Sequence, residues 1–70
     1  MRVRLRKNIL DRWIVVYGED NRVDGFAWSG SRFVSIDKDG LPDGGVQVSN
    51  LGTREEAAEY AATFGFEVVG

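Results

Sequence analysis

The side chains that most often perform chemistry at neutral pH are missing from this 70-residue chain, which has no cysteine and no histidine. Without a thiolate or an imidazole it lacks the strongest biological nucleophile, the usual general base and the commonest metal-binding nitrogen. Catalysis would have to rest on carboxylates, hydroxyls or guanidinium groups. Ser29, Ser31, Ser35 and Ser49 have no histidine to activate them, and their positions suit turns and strand edges. Gly44-Gly45 lacks the Lys and Ser/Thr that complete a phosphate loop. The expectation is a non-catalytic protein that needs no cofactor.

Two charged groupings remain. Asp37, Asp39 and Asp43 in Asp37-Lys38-Asp39-Gly40-Leu41-Pro42-Asp43 have the rhythm of a calcium loop, but Lys38 falls among the ligands and Leu41 takes an acidic position. No bidentate glutamate follows. Turn chemistry accounts for Asp, Gly and Pro together, so no metal is expected. The second grouping is Arg2, Arg4 and Arg6, with Lys7 and Arg12 close behind. On a strand, every second residue shares a face at about 6.6 Å spacing, a geometry that can line phosphates, with Trp13 available to stack on a base. The competing reading is a solvated edge strand whose charges deter sheet extension.

Net charge weighs against general nucleic-acid affinity. The chain carries −2 overall, from nine Lys and Arg against eleven Asp and Glu. The first twelve residues hold five cations and Asp11, so the remainder is strongly acidic. Asp20, Asp24, Asp37, Asp39, Asp43, Glu55, Glu59 and Glu67 could present a negative rim to a basic protein surface, or simply keep a small domain in solution. The longest apolar runs fall far short of the roughly 20 residues that span a bilayer, so no membrane insertion is expected and the default location is cytoplasmic.

These residues must be positioned by one small domain covering residues 1–70. Met1, Val3 and Leu5 alternate with Arg2, Arg4 and Arg6, as in a strand with one buried and one wet face. After a turn at Asn8 to Asp11, Arg12 to Tyr17 reads as a second strand, apolar on both faces and therefore central. Gly18 to Asn21 ends it. The segment from Asp24 to Ile36 reads as a hairpin, with Phe26-Ala27-Trp28 and Arg32 to Ile36 flanking Ser29-Gly30-Ser31. A loop follows from Asp37 to Gly45, and Val46-Gln47-Val48 reads as a short further strand.

Thr53-Arg54-Glu55-Glu56 has the form of a capping box, with Thr53 accepting from the Glu56 amide and the Glu56 side chain reaching back to the Thr53 amide. Gly65 suits the stop. Ala57, Tyr60, Ala61 and Phe64 form the apolar face of this helix, and Phe66 to Val69 makes a closing strand. The fold class is α+β: a small antiparallel sheet of four or five strands, with one C-terminal helix packed on one face. A helix of about 12 residues is about 18 Å long and covers a single face. The helix leaves the other face without a layer, so either loops and a curled sheet cover the residues there or an exposed apolar and aromatic patch remains. Trp13, Tyr17, Phe26, Trp28 and Phe33 are then either core or partner-binding anchors, with Asp37, Asp39 and Asp43 as a rim, and a homodimer through the uncovered sheet face is an option.

Arg12-Trp13-Ile14-Val15, Gly25-Phe26-Ala27-Trp28 before Ser29-Gly30, and Leu51-Gly52-Thr53-Arg54-Glu55-Glu56-Ala57-Ala58-Glu59-Tyr60-Ala61 before Gly65 carry a resemblance. In these pieces the chain is similar to the accessory subunit family on the peripheral arm of respiratory complex I. Phe26-Ala27 here separates the glycine and tryptophan that stand together in the family's turn. The resemblance implies a small sheet with one helix and a place on a larger assembly. In size and charge the chain also resembles small phage-encoded inhibitors. The reading that follows is a protein-binding module, an inhibitor or adaptor docking on a larger protein or ribonucleoprotein. Nucleic-acid binding through Arg2, Arg4, Arg6, Lys7 and Arg12 is the rival.

Overall fold

Alternating apolar and charged residues make strands where the pattern places them. In the computed structural model, which describes residues 1–18 and 25–69, β1 is Arg2–Lys7, β2 is Trp13–Tyr17, β3 is Gly25–Trp28 and β4 is Phe33–Ile36. They are followed by α1, Arg54–Thr63, and β5, Glu67–Val68. The strands form one sheet in the order β4-β3-β2-β1-β5. Neighbours from β1 to β4 are antiparallel, whereas β5 lies parallel to β1. The amides of Glu67 and Val69 donate to the carbonyls of Met1 and Val3, each at 2.8 Å. The protein is a small α+β domain with a mixed, mostly antiparallel sheet. The expected strand end at Glu19 to Asn21 and the hairpin start at Asp24 lie outside the described residues.

Paired residues share a face, so the register sorts every side chain. Val3 pairs with Tyr17, Leu5 with Val15, Lys7 with Trp13, Trp28 with Phe33 and Phe26 with Ser35, and these face α1. Arg2, Arg4 and Arg6 alternate onto the opposite face with Ile14, Val16, Ala27, Val34 and Ile36. Ile14 and Val15 are both 0% exposed although they point to opposite faces. The central position of β2, with apolar side chains on both sides, is as its sequence requires.

The helix begins where the capping box predicts. Thr53 is extended, and its hydroxyl accepts from the Glu56 amide at 3.1 Å. The Glu56 carboxylate meets the Thr53 hydroxyl at 3.2 Å, in place of the expected contact with the Thr53 amide. At the other end the amides of Phe64 and Phe66 share the Ala61 carbonyl, and Gly65 adopts φ 77° in the stop. Ala57 and Ala61 are completely buried. Their small side chains let the helix lie close on β1, β2 and β5, where Ala61 packs with Val3 and Val15.

One expectation is corrected. Val46-Gln47-Val48 forms no strand: Gly44 and Gly45 take positive φ and carry the chain off the edge of β4. On the sheet face opposite the helix, loop cover is the alternative that forms, and no uncovered sheet face is left there for a homodimer. Val48 is buried against Ile14, Ala27, Val34 and Ile36, so the irregular segment 37–51 supplies the second layer. It is fastened at several points. The Arg6 guanidinium donates to the Lys38 carbonyl, Ile9 donates to the Asp39 carbonyl at 2.9 Å, and Trp13 and Leu51 exchange two backbone bonds of 2.8 Å. Pro42 bridges to Ile36 while the Asp43 amide donates to the Ser35 carbonyl at 3.3 Å, blunting the edge of β4.

The central fastening is Asn8, the one buried polar residue among those described. Its Oδ1 accepts from the amides of Leu10 and Arg12 at 2.9 and 3.1 Å, and its Nδ2 donates to Asn50 Oδ1 at 3.1 Å. Asn50 Nδ2 in turn donates to the Val48 carbonyl at 3.0 Å. Replacing Asn8 with Ala removes three bonds at a buried position and should cost about 2–3 kcal/mol in urea unfolding. A loss below about 1 kcal/mol would mean that the strap holds without it.

Gly40 packs against the same residue. It has φ +77°, and a Cβ added there would lie 2.7 Å from Asn8 Cβ, whereas at Gly44, φ +65°, it would meet nothing within 4 Å. Both Ala variants incur the left-handed backbone cost of about 1–2 kcal/mol, and Gly40→Ala adds an overpacking cost of about 1–3 kcal/mol. Thermal unfolding of the two variants should differ in that order.

Candidate functional site

The helix covers β1, β2 and β5, and on the same face β3 and β4 extend beyond it. Aromatic rings fill this corner. Trp28 is at the centre, with ring centroids 4.9 Å from Phe33, 5.2 Å from Phe64 and 5.0 Å from Phe66. Tyr17 meets Phe33 edge-on at 5.2 Å, and Tyr60 meets Phe64 at 5.1 Å. Edge-to-face contacts of this kind add to plain area burial because ring edges and faces carry opposite partial charge. The Tyr60 hydroxyl lies 2.5 Å from Ser49 Oγ, tying the cluster to the strap. Trp28 Nε1 is buried without a hydrogen-bond partner, so packing alone holds the indole.

The rings are unequally covered. Trp28, Phe33 and Phe66 are half-buried and pack against Val3, Val15 and Ala61. Tyr17, Phe26 and Phe64 are 52%, 48% and 39% exposed. The pairing of Val16 with Ala27, continued by one residue, puts Tyr17 beside Phe26. The outcome is an open aromatic surface on a rigid aromatic base. No cation or carboxylate of β2, β3 or β4 lies on this face beside the rings, where Ser35 is the polar neighbour of Phe26.

The residues singled out in the sequence are distributed as follows. Of the five aromatic anchors, Trp28 and Phe33 form the base, Tyr17 and Phe26 the open surface. Trp13 stands at the far end of the face, opposite Lys7 and bridged to Leu51. Asp43 flanks the patch at the outer edge of β4, but Asp37 and Asp39 belong to the strap near the β1–β2 turn. Asp37 Oδ1 accepts from the amides of Asp39 and Leu41 at 2.9 and 3.1 Å, which is turn chemistry. Among the described residues no group of three or more acidic side chains is placed to hold a metal.

No family model, curated protein or solved structure matches the chain.

The arginines do share a face, but they are not a free strip. Arg2 Nε pairs with Glu67 Oε2 at 3.0 Å, Arg6 is bound to the strap, and Arg4 is half-buried with its Nε enclosed. Only part of the expected outward display therefore holds, because the strap has climbed over that face. Lys7 lies on the other face, 3.7 Å from Asp11, and Arg12 is exposed at the end of the turn. Arg2, Arg4 and Arg6 are thus on the side of the sheet opposite the aromatic rings, while Lys7 stands beside Trp13 on the ring side. Trp13, the proposed stacking partner, is also on the side away from Arg2, Arg4 and Arg6.

Sequence reading missed Phe66 as a member of the cluster and placed Phe64 in the helix core. A usable signal was present: Tyr60, Phe64 and Phe66 bracket Gly65, and a left-handed stop there turns the chain so that all three rings gather at one corner.

Phe26→Ser and Tyr17→Ser should change unfolding free energy by no more than about 1 kcal/mol, since these side chains are half in water. Trp28→Ala and Phe33→Ala should cost about 3–5 kcal/mol or abolish folding. Urea titration followed by circular dichroism separates the two groups, and equal losses in all four would make the open rings structural.

Proposed function

We propose that this domain is a non-catalytic protein-binding module, a small inhibitor or adaptor that docks on a larger protein or ribonucleoprotein. The observation carrying this reading is the pre-organised aromatic surface of Tyr17, Phe26 and Phe64 on the Trp28 base. Aromatic anchors contribute large contact area for few rotatable bonds, and rings already locked by their neighbours lose little entropy on binding. The absence of Cys and His removes the usual catalytic groups.

The size of the patch bears on the partner. At about 200 Å² per ring, the exposed fractions of the three rings amount to about 280 Å². That is about a third of the roughly 800 Å² each side contributes to a standard interface. The rings are therefore an anchor within a wider, more polar contact. They are too small by themselves for a stable homodimer, and a larger partner that surrounds them fits better. Asp43 and other acidic groups would form the rim, which favours a partner with a basic surround.

Nucleic-acid binding is the weaker reading, because phosphate contact by Arg2, Arg4 and Arg6 would come from the face opposite the rings, which leaves Lys7 beside Trp13, already 3.7 Å from Asp11, as the strand cation on the stacking side. Affinity purification from a lysate of the source cell, with and without nuclease, tests the choice. A stoichiometric protein should be retained after nuclease and in Arg2→Glu/Arg4→Glu, and lost in Tyr17→Ser/Phe26→Ser. Retention that depends on the arginines and on nucleic acid would overturn the proposal.

A further inference from the structure

The turn between β1 and β2 has an unusual combination of rigidity and exposed apolar surface. Ile9 and Leu10 are each 64% exposed and adjacent at its tip. Such a pair on a loose loop would need no explanation, but this turn is tightly bonded. The amides of Asn8, Ile9, Leu10, Asp11 and Arg12 all have partners: the Arg12 carbonyl, the Asp39 carbonyl, Asn8 Oδ1, the Asn8 carbonyl and Asn8 Oδ1 respectively. Asp11 accepts φ 60° to close it. Neither aliphatic side chain belongs to either core cluster.

Charges of both signs stand near the tip, with the exposed lysines Lys7 and Lys38 among them. Lys7 follows β1 into the turn and Lys38 is brought there by the bond from Ile9 to the next residue, Asp39, while the Arg6 guanidinium is bound to the Lys38 carbonyl and that of Arg12 lies toward Gly52. The nearby carboxylates are partly engaged: Asp11 is 3.7 Å from Lys7, and Asp37 accepts backbone amides of its own turn. Asp39 remains. Two aliphatic side chains projecting from a convex, cation-flanked turn match the interface of an anionic bilayer, which accepts an isolated apolar tip without a complementary pocket. A protein partner would need a cavity shaped to the tip and far more surrounding area.

We propose that this turn is a membrane-surface contact, with Ile9 and Leu10 entering the headgroup boundary of an anionic bilayer while Lys7 and Lys38 meet lipid phosphates. It crosses nothing, in keeping with the finding that no helix among the described residues is long and apolar enough to span a membrane. The contact is independent of the aromatic patch: the tip lies beyond Trp13 at the start of β2, and Tyr17 closes the other end of that strand.

Sedimentation with vesicles of phosphatidylcholine alone, and of phosphatidylcholine with phosphatidylserine, tests it on the full chain. The protein should partition onto the phosphatidylserine vesicles, and more weakly onto neutral ones. Partitioning should fall at least about tenfold in Ile9→Asp and in Leu10→Asp, and several-fold in Lys7→Glu/Lys38→Glu or when salt rises from about 0.1 to about 0.5 M. Phe26→Ser should sediment like the parent protein, which keeps this result separate from that of the aromatic patch. No partitioning, equal partitioning onto neutral vesicles, or partitioning undiminished in both tip variants would overturn the proposal. Because both side chains are exposed, circular dichroism should find each tip variant folded.

Discussion

A buried amide holds this domain together. One helix can layer only one side of a sheet, yet β2 carries apolar residues toward both sides, so something irregular must cover the second. Backbone without regular structure is costly to bury because its polar groups lose water. The Asn8 side chain addresses this by bonding two amides of its own turn and the Asn50 side chain, which in turn holds the Val48 carbonyl. With that carbonyl held, Val48 can be buried at 6% exposure over Ile14, Ala27, Val34 and Ile36. The close approach of Gly40 to Asn8 follows from the same constraint.

On the other side the geometry is set by small residues. Ala57 and Ala61 bring α1 down onto Val3 and Val15, and such a seat places the helix over β2, β1 and β5. The overhanging corner of β3 and β4 is too wide for the helix itself, so Tyr60, Phe64 and Phe66 fold around Gly65 to meet Trp28 and Phe33. Rings that complete a core at its margin are necessarily buried on one side and wet on the other. The proposed binding surface is a consequence of that packing, with Tyr17 and Phe26 adding exposed area that the core does not use.

Local signals made much of this legible. Period-two alternation located β1, the double-sided apolar run identified β2 as central, and Thr53 with Gly65 bounded the helix nearly to the residue. The parallel seat of β5 beside β1 and the strap over the second face were not legible, because both depend on contacts distant in sequence. Asn8 pairing with Asn50 leaves no mark in either local pattern. Val46-Gln47-Val48 shows the same limit: an alternating apolar triplet is equally suited to a strand and to a chain that drops one side chain into a core. Of the site, the residue types were legible but their division was not. Trp28 and Phe26 lie on the same face of the same strand, and only the Phe64 and Phe66 rings arriving from the helix end distinguish base from surface.

The same period-two rule that builds the sheet also separates its chemistries. Arg2, Arg4 and Arg6 cannot share a face with Val3 and Leu5, and Val3 shares its face with Tyr17. A strand one residue out of register would invert all of them together and expose the core. Guanidinium groups and open rings are therefore held apart by the fold's own stability, and no local rearrangement of side chains can combine them into one stacking and phosphate-binding groove. An apolar anchor flanked by Asp43 on one side, and partly engaged arginines on the other, is an arrangement suited to a protein surface rather than to a nucleic-acid strand.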